Sequence, residues 1–208
     1  LFDSNDDRLT TAHQDAFNLN RSGFSAVFWM KGGKDQPGQS EALCTLLEKS
    51  HGWIDNTGWA FQAYPATGEL GFGAGQGGGT GNGFVSANSL VDVLDERWHC
   101  IAGTWDGFNL RLYVDGQLQR VTPLLIPANN SRPLNLGFTW GNGGPRRFFR
   151  GLLDEVGLLD RALSLTEIER IYSARSGGLC RQSPMILHPF RIEDAVVGNP
   201  LEETILAA

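Results

Sequence analysis

The chain predicts an all-β fold, with antiparallel strands packed as a sandwich or barrel and one short helix near the C-terminus. Three observations carry this. Short runs alternate apolar and polar residues with a period of two, as in "NLRLYV" (109–114). Turn signals recur between the runs, among them Asp106-Gly107 and Asp115-Gly116. The composition is rich in glycine (27 residues) and only 19% charged, which suits turn-rich β structure better than a helical bundle.

Taken in order, "GFSAVFWMK" (23–31) is a β-rich run with aromatics, and "ALCTLLEKS" (42–50) is an apolar run. "GWAFQAYP" (58–65) alternates, and "GELGFGAG" (68–75) follows a short turn. In "RWHCIAGTWDGFNLRLYVDGQLQR" (97–120), Cys100, Ala102 and Thr104 alternate with Ile101, Gly103 and Trp105. Leu110, Leu112 and Val114 then alternate with Arg111, Tyr113 and Asp115, which makes the stretch a meander. Its Asp-Gly pairs predict type I′ turns, whose central residues need positive φ. "RPLNLGFT" (132–139) and "FRGLLDEVGLLD" (149–160) add two strands; in the latter, Leu152, Asp154, Val156 and Leu158 share a face. "SLTEIERIYSA" (164–174) opens with a capping box, Ser164 and Glu167, and places Leu165, Ile168, Ile171 and Tyr172 on one helical face. A helix this short must dock on the strands to persist.

Several functions are excluded or unsupported. The net charge of −6 opposes phosphate-led nucleic-acid binding. No apolar run approaches the ~20 residues of a membrane span. Cys44, Cys100 and Cys180 form no C-x-x-C pair, and either one disulfide or three inert thiols would account for them. His13, His51, His99 and His188 are scattered, with no H-E-x-x-H, and no G-x-S-x-G occurs. Gly73-x-Gly75-x-x-Gly78 matches a dinucleotide fingerprint only formally, because strand and loop follow it instead of a helix; the Gly-rich stretch 71–84 reads as a flexible loop. Asn129-Asn130-Ser131 is a formal glycosylation sequon.

"FDSNDDRLT", "FSAVFWMK", "WHCIAGTWDGFNLRLYVDGQL" and "GLLDEVGLLDRALSLTEIERIY" occur in the order and spacing of bacterial laminin-G-like modules. The chain thus resembles the laminin-G-like, concanavalin A-like lectin/glucanase superfamily over residues 1–175. It departs from the pattern at His99-Cys100, where a second histidine is common, and at Gly157-Leu158-Leu159, where charged and aromatic residues are usual. The resemblance implies a concanavalin A-like jelly-roll sandwich. Residues 176–208 lie outside it, as a packed extra strand or a linker.

In similar jelly rolls, an aspartate on the last strand binds a structural calcium with backbone carbonyls from the chain's start. By that resemblance Asp154 and Asp3 are the expected metal ligands, with Asn5 and Asp7 adding the oxygens calcium prefers. Hydrogen bonds from backbone amides, or an arginine, would equally satisfy an inward Asp154. Glucanases share this fold, but their alternating Glu-x-Asp-x-Glu strand is missing. "VDVLDERW" and "LLDEVGLLDR" do not set acids at i, i+2 and i+4, so no catalytic residue is assigned.

Trp29, Trp98 and Trp105 sit in strand words and are expected in the core. Trp53, Trp59 and Trp140 lie beside Gly- and Asn-rich turns; with Asn56 and Asn142 they are the candidate ligand-binding residues, the indoles stacking on a sugar and the amides reaching its hydroxyls. The expected function is a non-catalytic carbohydrate-binding or adhesion module of a larger secreted or surface protein. Its partners would be a glycan or a protein, and its location extracellular, cell-surface or periplasmic. A glycoside hydrolase or lyase, or a structural interaction module without a sugar site, are the alternatives.

Overall fold

The computed structural model describes residues 1–174, apart from 4, 20–22, 37–41, 51–54, 79–82 and 142, together with the pair Val196–Val197. Its strands are β1 (Phe2–Asp3), β2 (Leu9–Thr11), β3 (Phe24–Gly33), β4 (Cys44–Ser50), β5 (Gly58–Tyr64), β6 (Glu69–Gly75), β7 (Phe84–Asn88) and β8 (Asp95–Trp105). They continue as β9 (Asn109–Val114), β10 (Gln117–Pro123), β11 (Leu134–Leu136), β12 (Thr139–Gly141), β13 (Gly144–Arg146), β14 (Arg150–Leu159) and β15 (Val196–Val197). Helix α1 spans Leu165–Ala174. One sheet runs β1-β14-β3-β8-β9-β10, the other β15-β2-β11-β4-β5-β6-β7, and β12-β13 is a separate hairpin. Every pairing within them is antiparallel. The sandwich is the jelly roll that the strand pattern and the resemblance imply.

Period-two alternation decides what each sheet buries. From one sheet Phe24, Phe28, Met30, Ile101, Leu110 and Leu112 face inward, and from the other Leu47, Trp59, Phe61, Leu70, Phe72, Leu134 and Leu136. Phe61 and Phe72 stack with centroids 4.5 Å apart. Gly103 makes room for that stack, since a Cβ there would lie 2.4 Å from Phe61. The buried indoles satisfy their N–H groups on backbone carbonyls: Trp59 donates to Phe17 at 2.7 Å and Trp105 to Leu124 at 2.9 Å.

The outer face of the first sheet is apolar as well. Val27, Cys100, Ala102, Tyr113 and Leu159 lie there beneath Leu163, Ile168 and Ile171, and Trp29 stacks on Tyr172 at 6.1 Å. Helix α1 is therefore the lid of this face. Its capping box closes as the sequence predicts: Ser164 N–H donates to Glu167 at 2.9 Å, and Glu167 N–H reaches back to the Ser164 hydroxyl at 3.3 Å. Beside the lid, His99 bridges two carboxylates, Asp115 at 2.8 Å and Asp95 at 3.0 Å, and its hydrogen bond to Asp115 leads the effects that raise its pKa. This ties the start of β8 to the β9–β10 turn.

Local chemistry separates the two Asp-Gly turns. Asp115-Gly116 has φ of 52° and 79°, the predicted type I′ signs. At Asp106-Gly107 only the glycine has positive φ. There the Asp106 carboxylate accepts the amides of Phe108 (2.9 Å) and Asn109 (2.8 Å), so a three-residue loop replaces the two-residue turn.

Strand β14 departs from its predicted face. Asp154 pairs with Trp29 and Gly157 with Val27, so Glu155 and Val156 stand together opposite Phe28 in a β-bulge, with Glu155 at φ 50°. The extra residue moves Leu153 onto the inner face with Val156 and Leu158. Asp154 is turned outward and exposed.

Other expectations change for similar reasons. Trp98 is 42% exposed, because the first residues of β8 run past the body of the sheet. Gly73 and Gly75 lie inside β6 and are not part of a flexible loop. Cys44 and Cys100 are free, buried thiols, one in the inner core and one under the helix; Cys180 lies outside the described residues. From the C-terminal segment, Val196 and Val197 pair with Thr10 and Leu9 at the edge of the second sheet. Among the described residues no helix is long and apolar enough to cross a membrane.

Candidate functional site

The outer face of the second sheet differs in character. Residues that alternate away from the core place Thr10, Asn135, Glu48, Ala60, Gly73 and Ser86 in one cross-strand row. Thr45, Gln62, Gly71 and Asn88 form the next row, and Tyr64 with Glu69 the last. The face is polar, and glycines leave β6 without side chains at its centre. No helix covers it.

The β12–β13 hairpin is held over β4. Thr45 N–H donates to the Arg147 carbonyl (2.8 Å), and Gly137 N–H to that of Leu46 (2.8 Å). Arg147 takes up this position with φ 55°, a left-handed conformation that few non-glycine residues adopt. On the hairpin Trp140 pairs with Pro145 and stays 50% exposed. Its indole is braced edge-on by Phe138 (6.3 Å, 73°), which stacks in turn on Phe148 (6.2 Å). Arg146 lies flat across Gly141, where a Cβ would come within 2.2 Å of its Nε. An exposed indole and two arginines thus share one small, braced element.

Beneath it, Glu48 is fully buried. Burial pushes its carboxyl up to about 7, against hydrogen bonds from Ser50 and Thr139 and the charges of Arg147 and Arg146. Burial also raises the Tyr64 phenol, against the pull of Arg147. The same arginine therefore acts on both Glu48 and Tyr64.

Of the candidate ligand-binding residues, Trp140 alone is described and on the surface. Trp59 is a correction: its side chain is fully buried, because strand alternation with Phe61 and Ala63 outweighs its glycine neighbour. Asn56 is also buried, at φ 53°, its carbonyl accepting Gly77 N–H at 2.8 Å, so it shapes a turn and cannot reach a ligand. Trp53 and Asn142 lie outside the described residues.

The expected metal pair does not assemble. Asp3 pairs with Arg150, four residues before Asp154, which is about 13 Å along a strand. Asp154, turned out by the bulge, accepts its neighbour's amide at 2.8 Å. Asp3 instead gathers with Asp6 and Asp7, their carboxylate oxygens within 4.8 Å of one another. Glu48, Tyr64, Arg146 and Arg147 are absent from the expected site. For the two arginines the sequence signal is that residues 116–153 contain five arginines and no Asp or Glu.

The solved structures most like this chain include the binding domain of Paraclostridial Mosquitocidal Protein 1, with 16% identity and a TM-score of 0.66 over 84% of this chain and 42% of that one. Another is the binding domain of botulinum neurotoxin DC in complex with rat synaptotagmin II (14% identity, TM-score 0.55, 80% and 40% covered). A third is botulinum neurotoxin type C, whose cell entry depends upon interaction with two ganglioside molecules (14%, 0.56, 80% and 42%). The chain spans less than half the length of each, and at these identities the likeness establishes the fold. No curated protein sequence matches it. The family model of the concanavalin A-like lectin/glucanases superfamily, in its Laminin_G_3 form, matches residues 3–169. With sandwich, capped helix and family model in agreement, the chain belongs to the concanavalin A-like lectin/glucanase superfamily.

Proposed function

We propose that this chain is a non-catalytic glycan-binding module of a larger secreted or surface protein, acting outside the cell or in the periplasm. The observation that carries the reading is Trp140: an exposed, braced indole at the border of a polar sheet face, which suits the apolar face of a sugar ring. Gln62, Tyr64 and Asn88 supply polar groups on the same face. The structural neighbours support a binding role, one being a binding domain in complex with rat synaptotagmin II and another a toxin whose cell entry depends upon two ganglioside molecules.

Carboxylate spacing speaks against hydrolysis. Glu48 and Glu69 are the acids on the outward rows of the second sheet's described strands. They lie opposite Ala60 and Tyr64 of β5, about 13 Å apart along that strand, whereas glycosidase pairs are separated by roughly 5–9.5 Å. The test is a glycan array on the purified domain beside Trp140→Ala. Wild type should bind a subset of glycans, and the variant should bind them at least about tenfold more weakly, a loss of ~1.4 kcal/mol. Equal binding by both proteins, or new reducing ends released from a bound glycan, would refute the reading.

Calcium belongs to the proposal with a changed ligand set. The hard oxygens of Asp3, Asp6 and Asp7 fit that ion, and these three would hold it without Asp154. An unchanged melting temperature on adding calcium and then EDTA would remove the ion from the account.

A further inference from the structure

We infer that Phe108, Leu125 and Ile126, displayed on two adjoining loops at one end of the sandwich, form a tip that enters the headgroup–acyl boundary of a lipid bilayer. The inference is independent of the glycan-binding reading.

Exposure is the first support. Leu125 is 68% exposed, Ile126 75% and Phe108 65%, so three large apolar side chains stand in water on two short loops. The loops adjoin, because Leu124 N–H donates to the Phe108 carbonyl at 2.8 Å and Pro123 pairs with Asn109. Apolar residues scattered singly over a surface are ordinary, whereas a group of them marks a place of contact.

The loops are also held in this pose. Asp106 fixes the first through the amides of Phe108 and Asn109. In the second, Leu124 is buried and its carbonyl accepts the Trp105 indole N–H at 2.9 Å. Four residues on, Ala128 N–H donates to the Gly75 carbonyl (2.7 Å), and its own carbonyl accepts Gly58 N–H (2.6 Å). The chain is thus pinned at 124 and 128, and Leu125 and Ile126 project between the pins. Pro123 and Pro127 stiffen the segment further. A loop so anchored loses little freedom when its tip is buried elsewhere.

The chemistry of the tip favours lipid over a protein partner. Hydrocarbon offers no hydrogen bonds, so a segment that enters it must carry few unsatisfied polar groups. Of residues 123–127, two are prolines, which leaves three N–H groups, and that of Leu124 is already bonded. A stable protein interface needs roughly 800 Å² from each partner and a polar rim, whereas the apolar display here is confined to loop ends. Charge agrees. Asp115 is the one acid in residues 107–153 and lies at the far end of β9, and Asp106 is paired with Arg111. The two loops therefore bring no unpaired carboxylate toward a lipid headgroup.

The experiment mixes the protein with glycan-free vesicles, of phosphatidylcholine alone and of phosphatidylcholine with phosphatidylserine, and measures the bound fraction by co-sedimentation. Wild type should bind both reversibly and with little response to salt, because the contact is apolar. Leu125→Ser/Ile126→Ser should bind at least about tenfold more weakly, and Phe108→Ser should lose a smaller factor. Leu118→Ser, which changes an exposed apolar residue at the other end of β10, should bind as wild type does. All three variants should keep their melting temperature, since the side chains they replace are exposed. Wild type that ignores both vesicles, or binding that survives in the double variant, overturns the inference and leaves the glycan-binding reading standing. A dimer in sedimentation that the double variant abolishes, without vesicle binding, overturns it too and assigns the tip to a second copy of the chain.

Discussion

The two sheets of this sandwich share one inner core, but their outer faces have opposite fates. On the first sheet Val27, Ala102, Tyr113 and Leu159 point outward, and such a face needs cover; helix α1 and Leu163 supply it. On the second sheet Gln62, Tyr64, Ser86 and Asn88 point outward among glycines and keep some exposure, whereas Thr45, Glu48, Ala60 and Asn135 of the same face are buried, the small hairpin lying over Glu48. The contrast follows from side chains at alternate positions, not from any difference in backbone. An apolar outer row commits a sheet to an intramolecular partner, and a polar one leaves it open to a foreign partner.

The largest test strikes what both faces depend on. Trp59→Ala empties a fully buried site and removes the hydrogen bond to the Phe17 carbonyl, so it should destabilise by about 3–5 kcal/mol and lower the melting temperature by roughly 10 °C. A small loss would mean that the indole is not in the core.

The next test asks whether the hairpin really seals Glu48. A carboxyl whose folded pKa is about 7, against an ordinary 4.5, favours the folded state while protonated. Its contribution is full below pH 4.5 and is lost as pH climbs through about 7, amounting to roughly 3 kcal/mol. Glu48→Gln should flatten that part of a denaturation profile measured from pH 4 to 8. An unchanged slope would show Glu48 to be hydrated. The smallest effect should come from Trp140→Ala, which changes stability by no more than about 0.5 kcal/mol while binding is lost. A large stability loss there would make the open face a structural one.

Much of the scaffold is legible in the sequence, because its signals are local. The alternation at 110–114, the Asp115-Gly116 turn and the Ser164–Glu167 capping box each specify their geometry within a few residues. The site is less legible because it is assembled from distant segments. Arg147 meets Glu48 and Tyr64 only through the β4–β5–β6 pairing and the hairpin laid over it. Trp59 shows the cost of reading neighbours instead of periodicity: its glycine and asparagine surroundings suggest a surface, while the every-other-residue match with Phe61 and Ala63 already assigns it inward. Asp154 fails for the opposite reason, since its periodicity is read correctly but one left-handed residue breaks the period. The arginines could have been found from the acid-free stretch 116–153, a signal of charge spacing and not of secondary structure.

The bulge in β14 also bears on how this strand tolerates length change. Without Glu155, Leu153, Val156 and Leu158 would follow one another at every second position and still face the core. The strand thus carries a spare residue: losing Glu155, or Asp154 before it, should leave the inward frame intact, whereas losing Val156 would bring Glu155 onto the inner face.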